Sequence, residues 1–210
     1  MAVDIIDHAW ITLVQAKTHI LGSTGSTGST TNNDEISTLI NGVTDYIERQ
    51  AGGRRFLAST GGDTTEIQDG GNGYKTRILL KNYPVKSTGI TSIHYNNGDF
   101  ETANWVAFQA TDWTLYGSGG TVKMPTGVPG GSNNIRVIYT GGYESATGSV
   151  YPIPQDLVLL ALNLVGKQFN KRMGQGKSKE EIGTAKITWA TEMDSEDLKT
   201  ISSYRRINIA

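Results

Sequence analysis

Residues 34–56 read DEISTLINGVTDYIERQAGGRRF, and residues 152–172 read PIPQDLVLLALNLVGKQFNKR. In the first stretch Ile36, Leu39, Ile40, Val43, Ile47 and Ala51 recur at steps of three and four, which puts them on one helix face. Asn32 and Glu35 stand at capping-box spacing ahead of that face. Gly52 and Gly53 end the helix, because glycine enters the left-handed region without steric cost. Arg54 and Arg55 follow, close to the negative end of the helix dipole. In the second stretch Pro152 and Pro154 tolerate a helix start and resist a helix interior. Leu157, Leu160, Ala161, Leu164, Val165 and Phe169 then form the most apolar helical stripe of the chain. At about 1.5 Å per residue this helix runs roughly 25 Å, long enough to be the central member of a small bundle. Just upstream, Val137 and Tyr139 alternate with Arg136, Ile138 and Thr140, the period of a strand.

Outward from these blocks the pattern extends to both ends. Thr12 and Gln15 have capping-box spacing, so a short helix runs from Leu13 to about Leu21, with Trp10 and Leu13 packing at its entry. Gly22 to Thr31 repeats a Gly-Ser-Thr triplet and cannot bury enough apolar surface to offset its ordering entropy, so 22–33 reads as a flexible loop. From Leu57 to about Gly148 the period changes to two, with glycine punctuation. Strands are expected over 76–81, 90–95, 113–116, 121–124 and 135–140, with hairpin turns at Asn97-Gly98 and at Gly117-Ser118-Gly119-Gly120. Past Arg172, residues 173–178 read as a loop and Thr184 to Trp189 as a weak strand or extended arm. Asp194 caps a final helix that has Leu198 and Ile201 on its inner face and Arg205 and Arg206 near its end. The fold class expected is α+β: a small helical bundle formed by N- and C-terminal segments, with an inserted antiparallel β region. The boundaries are 1–57 with 150–210 for the helical part, including a C-terminal arm at 173–210, and 58–149 for the β-rich insertion.

Two hundred and ten residues suffice for a real core in one domain or two small ones. Hydrophobic residues are only 37% and glycines number 26, which implies many turns and a fold that draws part of its stability from neighbours. The absence of cysteine excludes disulfides and thiolate chemistry. The formal charge is −1, from 19 Lys and Arg against 20 Asp and Glu. A protein that grips DNA gathers a basic surplus, because phosphate neutralisation drives affinity. Near-neutrality fits a channel that lets DNA pass better than a clamp that holds it. No apolar run reaches the ~18 residues of a membrane span. Asp4, Asp7 and His8 open the chain without the basic start and apolar run of a signal peptide.

Reactive motifs fail on context. Gly176-Lys177-Ser178 resembles part of a phosphate-binding loop, but the first glycine of that motif falls on Lys171 and the tract follows a helix. His8, His19 and His94 share no metal-ligand spacing, so neither a metal nor a cofactor is expected. Asp69-Gly70-Gly71-Asn72-Gly73 lacks the alternating ligands and closing glutamate of a calcium loop and reads as a tight turn. Trp105, Trp113, Tyr116, Tyr139 and Tyr143 sit in alternating strands and read as packing residues of the β region. Arg54, Arg55, Tyr204, Arg205 and Arg206 are the candidate contact residues, because arginine's planar fork suits a neighbour's carboxylates.

Taken in order, these stretches resemble the tailed-bacteriophage head–tail connector (adaptor, head-completion) proteins. Thr12 to Leu21 is similar to the family's first helix, and Leu39 through Tyr46 to Arg54-Arg55-Phe56 to its second. Leu79 to Val85 with Ile90 to Ile93 is similar to the strand pair that follows. Val137 to Tyr143 and Pro154 to Arg172 resemble the entry to the third helix, and Leu198 through Tyr204-Arg205-Arg206 the closing helix. Residues 22–30 depart from the pattern as a longer link than usual. The resemblance implies a virion neck protein, not an enzyme: a homo-oligomeric ring, twelve-fold as is usual in the family, docked beneath the portal protein. It implies contact with a downstream head-completion (stopper) or tail protein, and genomic DNA passing through without sequence-specific binding. The five candidate residues above would then serve intersubunit or portal contact. A tail-completion or terminator protein is the nearest alternative, which helices at both ends disfavour. A carbohydrate-binding or hydrolytic module is a third. It would need paired carboxylates, and nothing in the sequence pairs Asp63, Glu66, Asp69, Asp99, Glu101 or Asp112.

Overall fold

A computed structural model describes residues 3–22, 32–58, 63–72, 75–98, 102–145, 149–171, 179–182, 185–188 and 195–205. Most of the Gly-Ser-Thr tract, the 173–178 loop, Trp189, Asp194 and Arg206 lie outside the described residues. The chain divides into two compact units, Met1–Arg54 with Pro154–Ala210, and Arg55–Ile153. The architecture is the mixed α+β one, with N- and C-terminal helices flanking a β region.

The helical unit contains α1 (Leu13–Leu21), α2 (Asn33–Gln50), α3 (Gln155–Lys171) and α4 (Ser195–Tyr204). Both halves of the Thr12–Gln15 capping box form at the start of α1. The expected Asn32 cap does not form. Asn32 takes a left-handed conformation, φ 65°, and its side chain makes no capping bond. Asn33 is already helical, so the expected loop 22–33 overruns the start of α2, and the Asn33 side-chain Oδ1 accepts a bond from Lys17 Nζ at 3.0 Å. At the other end of α2, Gly53 N–H donates to the Glu48 carbonyl and Gly52 N–H to the Arg49 carbonyl. This is the Schellman arrangement, which needs the positive φ that Gly52 supplies.

α3 packs against both α1 and α2. Ile36, Ile40, Val43 and Ile47 of α2 are buried, and so are Leu157, Leu160, Ala161, Leu164, Val165 and Phe169 of α3. The whole stripe expected for α3 is therefore core. On α4 only half the expected inner face is buried: Ile201 is 2% exposed and Leu198 is 47% exposed. A ten-residue helix offers few turns, and this one meets both α2 and α3 with Ile201 turned into the bundle. β8 (Lys179–Ile182) pairs antiparallel with β9 (Ala185–Thr188), of which only the second strand was expected.

The β unit holds two antiparallel sheets. One runs in the order β1 (Thr64–Gln68), β7 (Ile135–Tyr139), β3 (Ile90–Asn96), β4 (Trp105–Ala107). The other runs β2 (Lys75–Leu79), β6 (Thr121–Val128), β5 (Thr114–Tyr116). Their inner faces share one core: Ile78, Leu80, Val122, Met124 and Val128 with Ile93, Ile135, Val137 and Tyr139. β1 and β4 went unread in the sequence because Thr-Thr-Glu-Ile-Gln and a three-residue edge strand carry little hydrophobic alternation. The Asn97-Gly98 turn is part of a longer β3–β4 connection, in which Asn96 Oδ1 accepts from Gly98 and Asn104 N–H. Gly117 to Gly120 does turn β5 into β6, with Gly120 left-handed at φ 55°.

A polar knot lies beneath this core. Tyr139 hydroxyl donates to Glu66 Oε2 at 2.7 Å and accepts from Asn82 N–H at 3.0 Å. The same Glu66 accepts from Lys81 N–H and from Gln68 Nε2. Burial, then the Glu66 charge, pushes the Tyr139 phenol well above its ordinary range.

Two outcomes are expected from this packing. Leu157→Ala should destabilise the helical unit by about 2–5 kcal/mol in urea denaturation. Tyr139→Phe strips a donor from Glu66 and an acceptor from Asn82, and should cost about 1–3 kcal/mol at neutral pH. The phenol's native pKa is raised, so its contribution is complete below the unfolded value of about 10 and falls as pH rises beyond it. The Tyr139→Phe protein should show a shallower stability loss above that pH.

Candidate interaction surface at the helix ends

The end of α2 and the end of α4 meet through Arg54. Its Nη1 donates to the Tyr204 carbonyl at 3.0 Å, one of the last carbonyls of α4, where a cation is favoured by the helix dipole. Arg54 is 3% exposed, so its guanidinium is spent inside the helical unit. The Tyr204 hydroxyl donates to both Asp156 oxygens, at 2.7 and 2.8 Å, at the start of α3. Lys167 Nζ reaches Asp197 Oδ2 at 2.8 Å and ties the C-terminal part of α3 to the first turn of α4. These contacts, with buried Ile201, dock α4 on the bundle.

Of the expected contact residues, the structure brings together Arg54 and Tyr204, and Arg205 adjoins them with its side chain exposed. Arg55 belongs to the β unit: its N–H donates to Asn82 Oδ1 at 3.0 Å and its side chain is exposed. Arg206 is outside the described residues. The sequence did not reveal the Asp156–Tyr204 and Lys167–Asp197 pairs, because neither acid has a local partner that would mark it.

Among the described residues, the carboxylates offered by the hydrolytic alternative are taken up in structural bonds. Asp63 accepts from Thr91 and Thr140, and those two bonds hold its carboxyl below the usual range. Glu66 is in the Tyr139 knot. Asp69 accepts from Asn133 N–H at 2.7 Å, which fixes the glycine turn read there. Asp112 accepts from Gln109 N–H and caps a single 3₁₀ turn. Asp99 and Glu101 lie outside the described residues. Among the aromatics, Tyr139 is core and Trp113 packs against it, but Tyr116 is exposed. The Trp105 ring is covered by the Arg136 guanidinium, 4.5 Å from its centroid. On that same sheet, burial and then the Arg136 charge lower the His94 pKa.

The histidine spacing that excluded a metal in sequence does not carry over to space. His8 lies against Asp45 and Glu48 of α2, the three offering ligand atoms within 4.8 Å of one another. Among the described residues no helix is long and apolar enough to cross a membrane.

Hydrogen exchange tests the docking of α4. Tyr204→Phe removes both bonds to Asp156 and should cost about 1–2 kcal/mol locally. The amides of 195–204 should then exchange faster, while those of the β unit keep their wild-type protection.

No family model and no curated protein matches this sequence. Solved structures do match its fold. A chain from the neck of an empty GTA particle, computed with C6 symmetry, aligns over 100% of this chain and 96% of its own, with TM-score 0.62 and 13% identity. A chain from the virion of a native gene transfer agent (GTA) particle aligns over the same shares, with TM-score 0.61 and 12% identity. A chain from the neck of a native GTA particle, computed with C12 symmetry, gives TM-score 0.61 and 11% identity.

Proposed function

We propose that this chain is a structural protein of the neck of a phage-like particle, a head–tail connector that works as a ring. The observation that carries this reading is the end-to-end fold match, 100% of this chain on 96% of the other, with a chain taken from a particle neck. The alignment takes in nearly all of both chains. The helical unit, the inserted β unit and the order in which they are joined are therefore matched together. The neck reconstructions with C6 and C12 symmetry support a cyclic assembly. In a ring each subunit presents two different patches, and closure depends on the rotation between them.

In this reading the ring docks beneath the portal protein, extends the DNA channel, and offers its far side to the next head-completion or tail protein. The chain does no chemistry. Its near-neutral charge, −1, suits a conduit through which DNA slides. Exposed Arg55 and Arg205 carry the charge available for subunit or portal contact, while Arg54 and Tyr204 hold the surface in shape from within.

Negative-stain imaging of the chain mixed with portal-containing capsids tests this. The expected result is annular density at the portal vertex with the chain present in twelve copies, the family's usual number. An Arg55→Glu, Arg205→Glu double variant should fold normally and bind the capsids at least about tenfold more weakly, a loss of ~1.4 kcal/mol. A monomer that leaves the portal vertex bare at all concentrations would overturn the connector reading.

A further inference from the structure

The segment before α1 is laid along α2 by bonds that do not use the His8 ring. Val3 N–H donates to Asp34 Oδ1 at 3.3 Å. Asn41 holds the strap twice, accepting from Ile6 N–H and donating to the Asp4 carbonyl, both at 3.0 Å. Beyond His8, Trp10 Nε1 donates to the Leu157 carbonyl of α3 at 3.3 Å. The backbone on either side of His8 is therefore fixed, and its imidazole, 13% exposed, is delivered to one place on α2. There Nε2 lies 3.4 Å from Asp45 Oδ1 and 3.6 Å from Glu48 Oε2. Asp45 and Glu48 are one helical turn apart, so both carboxylates rise from the same face. The Glu48 side chain is 9% exposed and that of Asp45 is 67% exposed, which leaves an approach from solvent.

We propose that His8, Asp45 and Glu48 form a binding site for a first-row divalent cation of the Zn²⁺ class, which fastens the N-terminal segment to α2. Zinc binds nitrogen and oxygen ligands at about 2.0–2.2 Å in tetrahedral geometry, and that places ligand atoms roughly 3.3–3.6 Å apart. The two His8 distances match this separation with the side chains as they stand. The two carboxylates, within 4.8 Å of each other, need only a small closing rotation. His8 Nδ1 is 3.2 Å from Asp7 Oδ1. A proton on Nδ1 donated to Asp7 leaves the Nε2 lone pair facing two anionic oxygens, and a cation turns that repulsion into coordination. An acid behind the ligating imidazole is the usual outer partner of a zinc histidine, fixing its tautomer and raising its basicity. One imidazole with two carboxylates suits zinc better than magnesium or calcium, which prefer oxygen alone. Three protein ligands leave a fourth position for water or for a group of a neighbouring molecule.

The test uses the full chain without an affinity tag, freed of metal by chelation and titrated with zinc chloride in a calorimeter. One ion should bind per chain. His8→Gln and Glu48→Gln should each weaken binding at least about tenfold, and Asp7→Asn by about tenfold through the ring's orientation. His19→Gln and His94→Gln should leave it unchanged. Cobalt(II) in place of zinc should give the intense visible bands of a tetrahedral site, lost in His8→Gln. His8→Gln alters a strap residue whose backbone is held by other bonds, so it keeps the test open if Glu48→Gln fails to fold. Absence of binding at millimolar zinc, or equal binding by His8→Gln, overturns the proposal. So does an NMR titration showing His8 doubly protonated at neutral pH with zinc present, because the imidazolium itself would then be the cation between the acids. Each outcome is independent of whether the chain joins a portal.

Discussion

The contact on which the rest depends is the packing of α2 against α3. These helices lie more than a hundred residues apart in the chain, and the entire β unit is spliced between them. Ile36, Ile40, Val43 and Ile47 on one side, and Leu157, Leu160, Leu164 and Val165 on the other, are removed from water. Burial of each such side chain contributes about 1.5–3 kcal/mol, offset by the ordering of the chain that makes it. The insertion can be long because loop-closure entropy grows only slowly with length. A folded insertion costs less still, since its own core orders it. α1 and α4 then add to a pair already formed: α1 buries Ala16, and α4 buries Ile201 and ties off through Arg54 and Asp156.

The β unit carries its own stabilising logic. Two sheets share a core of alternating side chains, and the one large polar group in it, the Tyr139 hydroxyl, is satisfied on both sides. That network explains why a glutamate and a glutamine occupy β1, a strand that otherwise lacks apolar alternation. Close approach is set by glycine at Gly142, whose φ of 124° and proximity to the Ala58 nitrogen and the Leu57 and Phe56 backbone exclude a side chain.

Much of the helical unit was legible in the sequence, because a period of 3.6 over 17 or 18 residues is a strong signal. The α3 stripe was read residue for residue, and the glycine stop of α2 was read with its mechanism. The Asn32 cap was misread because capping-box spacing does not determine φ, and asparagine tolerates the left-handed region almost as readily as it caps. Leu198 was misread because apolar spacing marks the face of a helix, while burial of each position on it depends on which neighbours reach it. In the β region five strands were legible and β1 and β4 were not, since their side chains are chosen for hydrogen bonds and edge position.

The sequence by itself determined the class of the protein: helices at both ends, strands between them, no cysteine, and no charge surplus for gripping DNA. These follow from periodicity and composition, which are local properties. Only the tertiary structure decided that Arg54 turns inward to a helix end, that Tyr204 closes on Asp156, and that His8 faces Asp45 and Glu48. Each of these joins residues far apart in the chain, and no local pattern records a meeting that two packed helices bring about.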